Sequence, residues 1–193
     1  MEVVIGPADE EYLASDVFLK EGKRLQFVSK ITGGSIPKEF IPAVAKGFKK
    51  VLDNGVLAGY PIQSMKVELL DGKTHTKDSN ALAFERCAIE TFRQVAPQLH
   101  PKLMEPIMSV EVATPPDYLG TILGGLNRRR GMILSQELGT TQVRIGAEVP
   151  LGELFGYVNH LRTVSAGRAN YSMKFDRYAL VPTKQMEAIL EEG

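Results

Sequence analysis

The sequence predicts an α+β protein of two domains, and three observations carry that reading. The second half runs strand, helix, strand, strand, helix, strand; the first half sets single helices between strand-like runs; and a seam flanked by Pro101 and Pro106 lies between them, over Gln98 to Glu105. The order of the second half is the split βαβ arrangement of ferredoxin-like domains, which places two helices on one face of an antiparallel sheet. A boundary near Leu103 divides the chain into domains 1–103 and 104–193.

The first half opens with a polar, acidic stretch around Pro7 to Asp16. Val17 to Leu19 and Leu25 to Ile31 then read as strand-like runs separated by Glu21-Gly22-Lys23. From Pro37 to Asn54, Phe40, Val44, Phe48 and Val51 recur at helical spacing, with Pro37 in the first turn and Gly55 just past the end. The other face of this helix, with Lys38, Lys46, Lys49 and Lys50, reads as solvated. Pro61 to Leu70 reads as a strand ending in the turn Asp71-Gly72, followed by the polar segment Lys73 to Ser79. A second helix begins near Ser79, repeats Ala81, Phe84, Ala88, Phe92 and Val95, and is stopped by Pro97; Cys87 is expected to pack within it.

In the second half Ile107 to Ala113 reads as a strand. Thr114-Pro115-Pro116-Asp117 then supplies a capping hydroxyl, a proline and an acid, and Leu119, Ile122, Leu123 and Leu126 form the buried stripe of a helix. Met132 to Leu138 and Gln142 to Val149 flank Gly139-Thr140-Thr141 as a hairpin, whose second strand alternates Val143, Ile145, Ala147 and Val149 with polar or small residues. A helix with Leu151, Leu154, Val158 and Leu161 follows, then Gly167, then a strand alternating Tyr171, Met173 and Phe175.

Composition narrows the function. With 193 residues, 44% hydrophobic and 24% charged, the chain can bury a sizeable core. Lys plus Arg balance Asp plus Glu at 23 each, so contact with nucleic acid has to come from local patches. The single cysteine excludes an intramolecular disulfide and fits a reducing, cytoplasmic setting. The amino terminus lacks the pattern of a signal peptide and no apolar run approaches the roughly 20 residues needed to span a bilayer, so membrane and secretion readings are set aside.

Several motifs lead nowhere chemically. Asp71-Gly72-Lys73-Thr74 contains the GKT of a phosphate loop, but the position that needs the earlier glycine is Val67 and no helix opens after Thr74. His75, His100 and His160 stand far apart, without cysteines or carboxylates at metal spacing, and no Gly-x-Ser-x-Gly elbow occurs, so no catalytic, cofactor or metal residue is assigned. Gly124-Gly125 within a helical stripe fits close packing. Gly131 to Leu138 carries no aromatic, which argues against an RNA-recognition platform. Arg128, Arg129 and Arg130 allow two readings of equal weight, capping of a helix carboxyl end or contact with phosphates, with Arg162 and Arg168 able to extend the second. The loop Lys73-Thr74-His75-Thr76-Lys77-Asp78, taken alone, is an ordinary exposed connection.

From about Leu25 onward the chain resembles bacterial elongation factor G. The matching segments are Ile36 to Val44, Leu57-Ala58-Gly59-Tyr60-Pro61, Asp78-Ser79 with Ala83-Phe84, Glu105 to Met108, Arg128 to Met132, and Glu148 to Phe175. The resemblance implies that the first half is that factor's elongated fourth domain, similar to the second domain of ribosomal protein S-five, with its first strand incomplete and a left-handed βαβ crossover. The second half would be its ferredoxin-like fifth domain. In the family the tip of the fourth domain enters the decoding site of the small subunit as transfer and messenger RNA are translocated. His75 matches a histidine of one tip loop, so Lys73, Thr74, His75 and Lys77 would face RNA, and a histidine can stack or hydrogen-bond there. The fifth domain would lie near the large-subunit stalk base and the sarcin-ricin loop, with Arg128, Arg129 and Arg130 as phosphate contacts. The resemblance places GTP and Mg2+ in amino-terminal domains of a parent GTPase and makes this chain itself no enzyme. The acidic stretch Ala8 to Gly22 is longer than the family's usual link and Thr76-Lys77 replaces a more acidic segment. A recycling or ribosome-protection paralogue is therefore an alternative, as is a stand-alone RNA-binding or regulatory α+β protein.

Overall fold

The computed structural model describes residues 1–75 and 79–191. The chain forms two compact units, Met1–Pro101 together with the residues from Ile189, and Lys102–Ala188.

In the first unit β1 (Glu2–Gly6) leads through two single-turn helices, α1 (Glu10–Leu13) and α2 (Asp16–Leu19), to β2 (Leu25–Ser29). A short 3-10 turn at Lys38–Phe40 runs into α3 (Ile41–Val51), followed by β3 (Met65–Asp71) and α4 (Ala81–Val95). The sheet order is β1-β3-β2. β3 lies antiparallel to β1, with Val3 opposite Leu69, and parallel to β2, with Phe27 opposite Val67. Parallel neighbours need a crossover, and α3 supplies it. Met65, Val67 and Leu69 alternate into the core, where they meet Val44, Phe48 and Ile36, all three fully buried. Each such side chain contributes roughly 1.5–3 kcal/mol of burial. On the opposite face of the sheet the alternate residues are charged: Lys66 binds Asp9 at 2.8 Å and Glu68 at 3.3 Å, and Lys30 binds Glu68 at 2.7 Å.

α3 and α4 pack against each other at Gly47. A methyl group there would sit 2.4 Å from the Glu85 carbonyl oxygen and 2.7 Å from the Ala88 Cβ, so the absent side chain sets the helix spacing. Glu85 is buried at this crossing and its carboxylate lies between Lys50 and Lys46, the latter at 3.1 Å. Those two lysines hold its pKa below the ordinary glutamate value, Lys50 more strongly. Part of the lysine face expected to be merely solvated is thus an interhelical clamp.

Two expectations for this unit change. Val17 to Leu19 is a helical turn, because Ser15 caps it through the Phe18 N–H and Asp16 sits in the first turn. Cys87 is exposed: the buried ridge of α4 is Phe84, Ala88 and Phe92, and Cys87 falls just off its edge. The cap of α4 is Asn80, whose Oδ1 accepts from the Ala83 N–H at 2.9 Å.

The second unit contains β4 (Met104–Thr114), α5 (Leu119–Arg128), β5 (Met132–Leu138), β6 (Val143–Pro150), α6 (Tyr157–Val164) and β7 (Asn170–Leu180), followed by α7 (Thr183–Glu191). The sheet order β5-β6-β4-β7 with every pair antiparallel is the ferredoxin-like split βαβ topology. Val110 and Val112 of β4 face the same side as Ala147 and Ile145 of β6, and Ile122, Leu126, Tyr157 and Leu161 of the two helices close over them. β5 is an edge strand; the central pair, β4 and β6, carries no aromatic residue either. Thr114 caps nothing: it is the buried last residue of β4, its hydroxyl donates to the Pro115 carbonyl at 3.3 Å, and a 3-10 turn over Pro116–Tyr118 precedes α5. Of the glycine pair, Gly125 packs closely, 3.3 Å from His160 Nε2 for an added methyl, while Gly124 faces open space. Among the described residues no helix is long and apolar enough to cross a membrane.

Candidate nucleic-acid interface

The loop after β3 is built by its two anchors. On the strand side the Gly72 N–H donates to the Asp71 side chain at 2.8 Å, and Ile36 packs where a Gly72 methyl would sit, 2.5 Å from its Cδ1. On the helix side the His75 N–H donates to Ser79 Oγ at 2.8 Å while the Ser79 N–H donates to the His75 carbonyl at 3.0 Å. This reciprocal pair pins the backbone of His75 beside the capped start of α4 and leaves its imidazole outside. Lys73, Thr74 and His75 are all exposed, so the structure brings these three candidates together on one loop. Lys77, the fourth, lies outside the described residues.

The GKT sequence in this loop does not make a phosphate cradle. Val67 is fully buried in β3 where a glycine would be needed, and α4 starts only at Ala81. Among the described residues no group of three or more His, Cys, Asp or Glu side chains is placed to hold a metal ion.

The three arginines after α5 separate. Arg130 adopts a left-handed backbone, with φ of 59°, which turns the chain from α5 into β5 while the Gly131 N–H donates to the Leu126 carbonyl at 2.9 Å. Its guanidinium grips both carboxylate oxygens of Glu105, and Glu105 raises its pKa. Arg129 donates to the Glu153 carbonyl at 2.7 Å and lies over the ring of Tyr157, 5.2 Å from its centroid. Tyr157 is buried, and burial pushes its hydroxyl up to about 12. Arg128 is exposed and has no ion pair or hydrogen-bond partner among the described residues. Arg168 stacks over Tyr118 at 5.0 Å, at the opposite end of α5 from Arg128, and so does not extend the cluster. Arg162 is exposed on α6.

The two units have the plan of the carboxyl-terminal part of a translation elongation factor. The family model "Elongation factor G, domain IV" matches residues 13–98 and "Elongation factor G C-terminus" matches residues 102–189. Elongation factor G 1 of Synechocystis is 52% identical over 172 residues, and elongation factor G 2 of Vibrio cholerae is 52% identical over 166 residues. These alignments cover 89% and 86% of this chain but 25% and 24% of the relatives, so the chain spans about a quarter of their length. A crystal structure of a Thermus thermophilus protein superposes with a TM-score of 0.83 at 33% identity, covering 98% of this chain and 27% of that one. The chain belongs to the elongation factor G family, over that factor's fourth domain and carboxyl terminus.

Proposed function

We propose that this chain is the ribosome-engaging part of a cytoplasmic, GTP-driven translocase, with a domain boundary between Pro101 and Leu103. The first unit acts as a rod whose loop Lys73, Thr74, His75 and Lys77 enters the decoding site of the small subunit and meets transfer and messenger RNA. The second unit sits near the large-subunit stalk base and the sarcin-ricin loop, where Arg128 is the arginine available to a phosphate. GTP and Mg2+ are handled by domains of the parent outside this chain, which supplies no hydrolytic group.

The observation that carries this reading is the presentation of His75: an exposed imidazole on a backbone pinned at both ends by Ser79. Two hydrogen bonds to Ser79 tie the His75 backbone to the start of α4, so the ring is carried along with that helix. A histidine ring stacks on a base or hydrogen-bonds to it, and Lys73 beside it favours phosphate.

The test is His75→Ala in the full-length parent. Translocation of messenger RNA is expected to slow at least about tenfold while the melting temperature stays within the range of a surface change, about ±0.5 kcal/mol in stability. Unchanged translocation would remove the residue from the mechanism, and a large fall in stability would make it structural.

A further inference from the structure

At the end of α3 and α4 remote from the His75 loop, the two helices enclose a groove of about 310 Å³. Its floor is apolar, with Phe92 buried, Ile89 half-buried and Val56 44% exposed. Its polar rim is Lys50, Asn54 and Arg93. Two of the acids around it are paired with cations: Glu85 is shared by Lys46 and Lys50, and Asp53 is paired with Arg24; Glu90 accepts only from the neutral amide of Gln94 at 3.4 Å and keeps its charge. Two lysines on one carboxylate leave a net positive charge, and Arg93 and Lys49 have no ion pair among the described residues. The groove is therefore positively charged, although the chain as a whole carries a net charge of zero.

We propose that this groove binds an RNA strand, with a phosphate on Arg93 and Lys50 and the attached ribose and base against Ile89 and Val56. A planar, permanently charged guanidinium suits phosphate oxygens, and an apolar floor accepts the face of any base, so the contact is independent of sequence. The carboxyl end of α3 at Val51 opposes a bare anion, which disfavours free phosphate and favours a ligand that also buries a ring. A strand gains more than a mononucleotide, since Arg86 lies two turns back on the same face of α4, about 10 Å away at 1.5 Å per residue. The choice of RNA as partner rests on the function proposed above. Arg93 follows Ala81, the first residue of α4, by twelve positions, so this contact lies about 18 Å along the helix from the end that carries the tip loop and gives the rod a second grip on RNA.

The test uses the whole chain, labelled at isoleucine and valine methyl groups, titrated with a uridine decamer and with uridine monophosphate. The decamer is expected to shift the Ile89 and Val56 methyl signals. Two phosphate contacts imply about a sevenfold loss of affinity between 50 and 200 mM salt, at a slope of about −0.7 per phosphate. Arg93→Glu should weaken binding at least about fivefold and roughly halve that slope, with Arg93→Gln intermediate. Unmoved methyl signals, unaltered binding by both variants, or equal affinity for the mononucleotide would each overturn the proposal. Ribosome co-sedimentation of the same chain separates the two ideas. A chain that pellets with ribosomes but shows no methyl shifts keeps the translation reading and loses the groove; shifts abolished by Arg93→Glu without pelleting keep the groove and lose the translation reading.

Discussion

Arg128, Arg129 and Arg130 are one word in the sequence and three different environments in the fold. Arg130 ties the turn after α5 to Glu105 at the start of β4, Arg129 covers the buried ring of Tyr157, and Arg128 faces out. Removing Arg129 strips a partly desolvated cation–π contact and leaves the Glu153 carbonyl without its donor. Arg129→Ala should therefore cost about 1–3 kcal/mol in urea unfolding, whereas Arg128→Ala stays within about 0.5 kcal/mol. Equal effects would mean that the neighbours are interchangeable and that the packing of Arg129 on Tyr157 contributes nothing. None of this separation was legible beforehand, because it depends on a backbone φ of 59° at Arg130, a conformation that arginine rarely signals. The exposed loop with His75 was legible as a loop from its polar composition. What made it interesting was the family resemblance, since no residue in it departs from ordinary surface chemistry.

At the scale of elements, periodicity was a good guide wherever a core face was clean. β6 buries Val143, Ile145, Ala147 and Val149 as its alternation requires, and α3 buries Val44, Phe48 and Val51 as its spacing requires. The readings that failed rested on short runs or on single residues. Val17 to Leu19 is too brief for period two to be told from period 3.6, and there a cap at Ser15 decided the outcome. Cys87 follows the stripe of α4 by three residues, yet lies outside the arc that faces α3. The crossing of α3 and α4 gives a prediction in which two effects compete. Gly47→Ala would gain up to about 1 kcal/mol of helix propensity, but a methyl group 2.4 Å from a backbone carbonyl forces the helices apart, at about 1–3 kcal/mol. Steric conflict with backbone cannot be relieved by a rotamer, so net destabilisation is expected. A rise in melting temperature would show that the helices slide freely at this crossing.

Among the described residues, the carboxylates with perturbed pKa values are all held low. For four of them a cation is the first cause: Glu85 is held by Lys50, Glu68 by Lys30, Asp9 by Lys66 and Glu148 by Arg177. Their folded values lie below those of the unfolded chain, about 3.9 for Asp and 4.3 for Glu, so the stability they add is complete above about pH 4.5 and is lost as pH falls through the lower folded values. Urea midpoints measured from about pH 6 to about pH 3 should drop through that window. Glu85→Gln should start lower at the neutral end and show a shallower acid slope; an unchanged slope would exclude Glu85 from the acid response.

The placement of β3 has a consequence in time. Its parallel partner β2 and the crossover α3 precede it closely, whereas its antiparallel partner β1 was synthesised first and must wait for Leu69 before Val3 has an opposite number. Loop closure costs more for the longer separation, and non-local pairings slow folding. β1 is thus expected to be the last strand to join its sheet, and until it does, one edge of β3 stands open to a wrong neighbour. A protein made on the ribosome, and proposed to return there to work, carries an open sheet edge for as long as β1 stays unpaired.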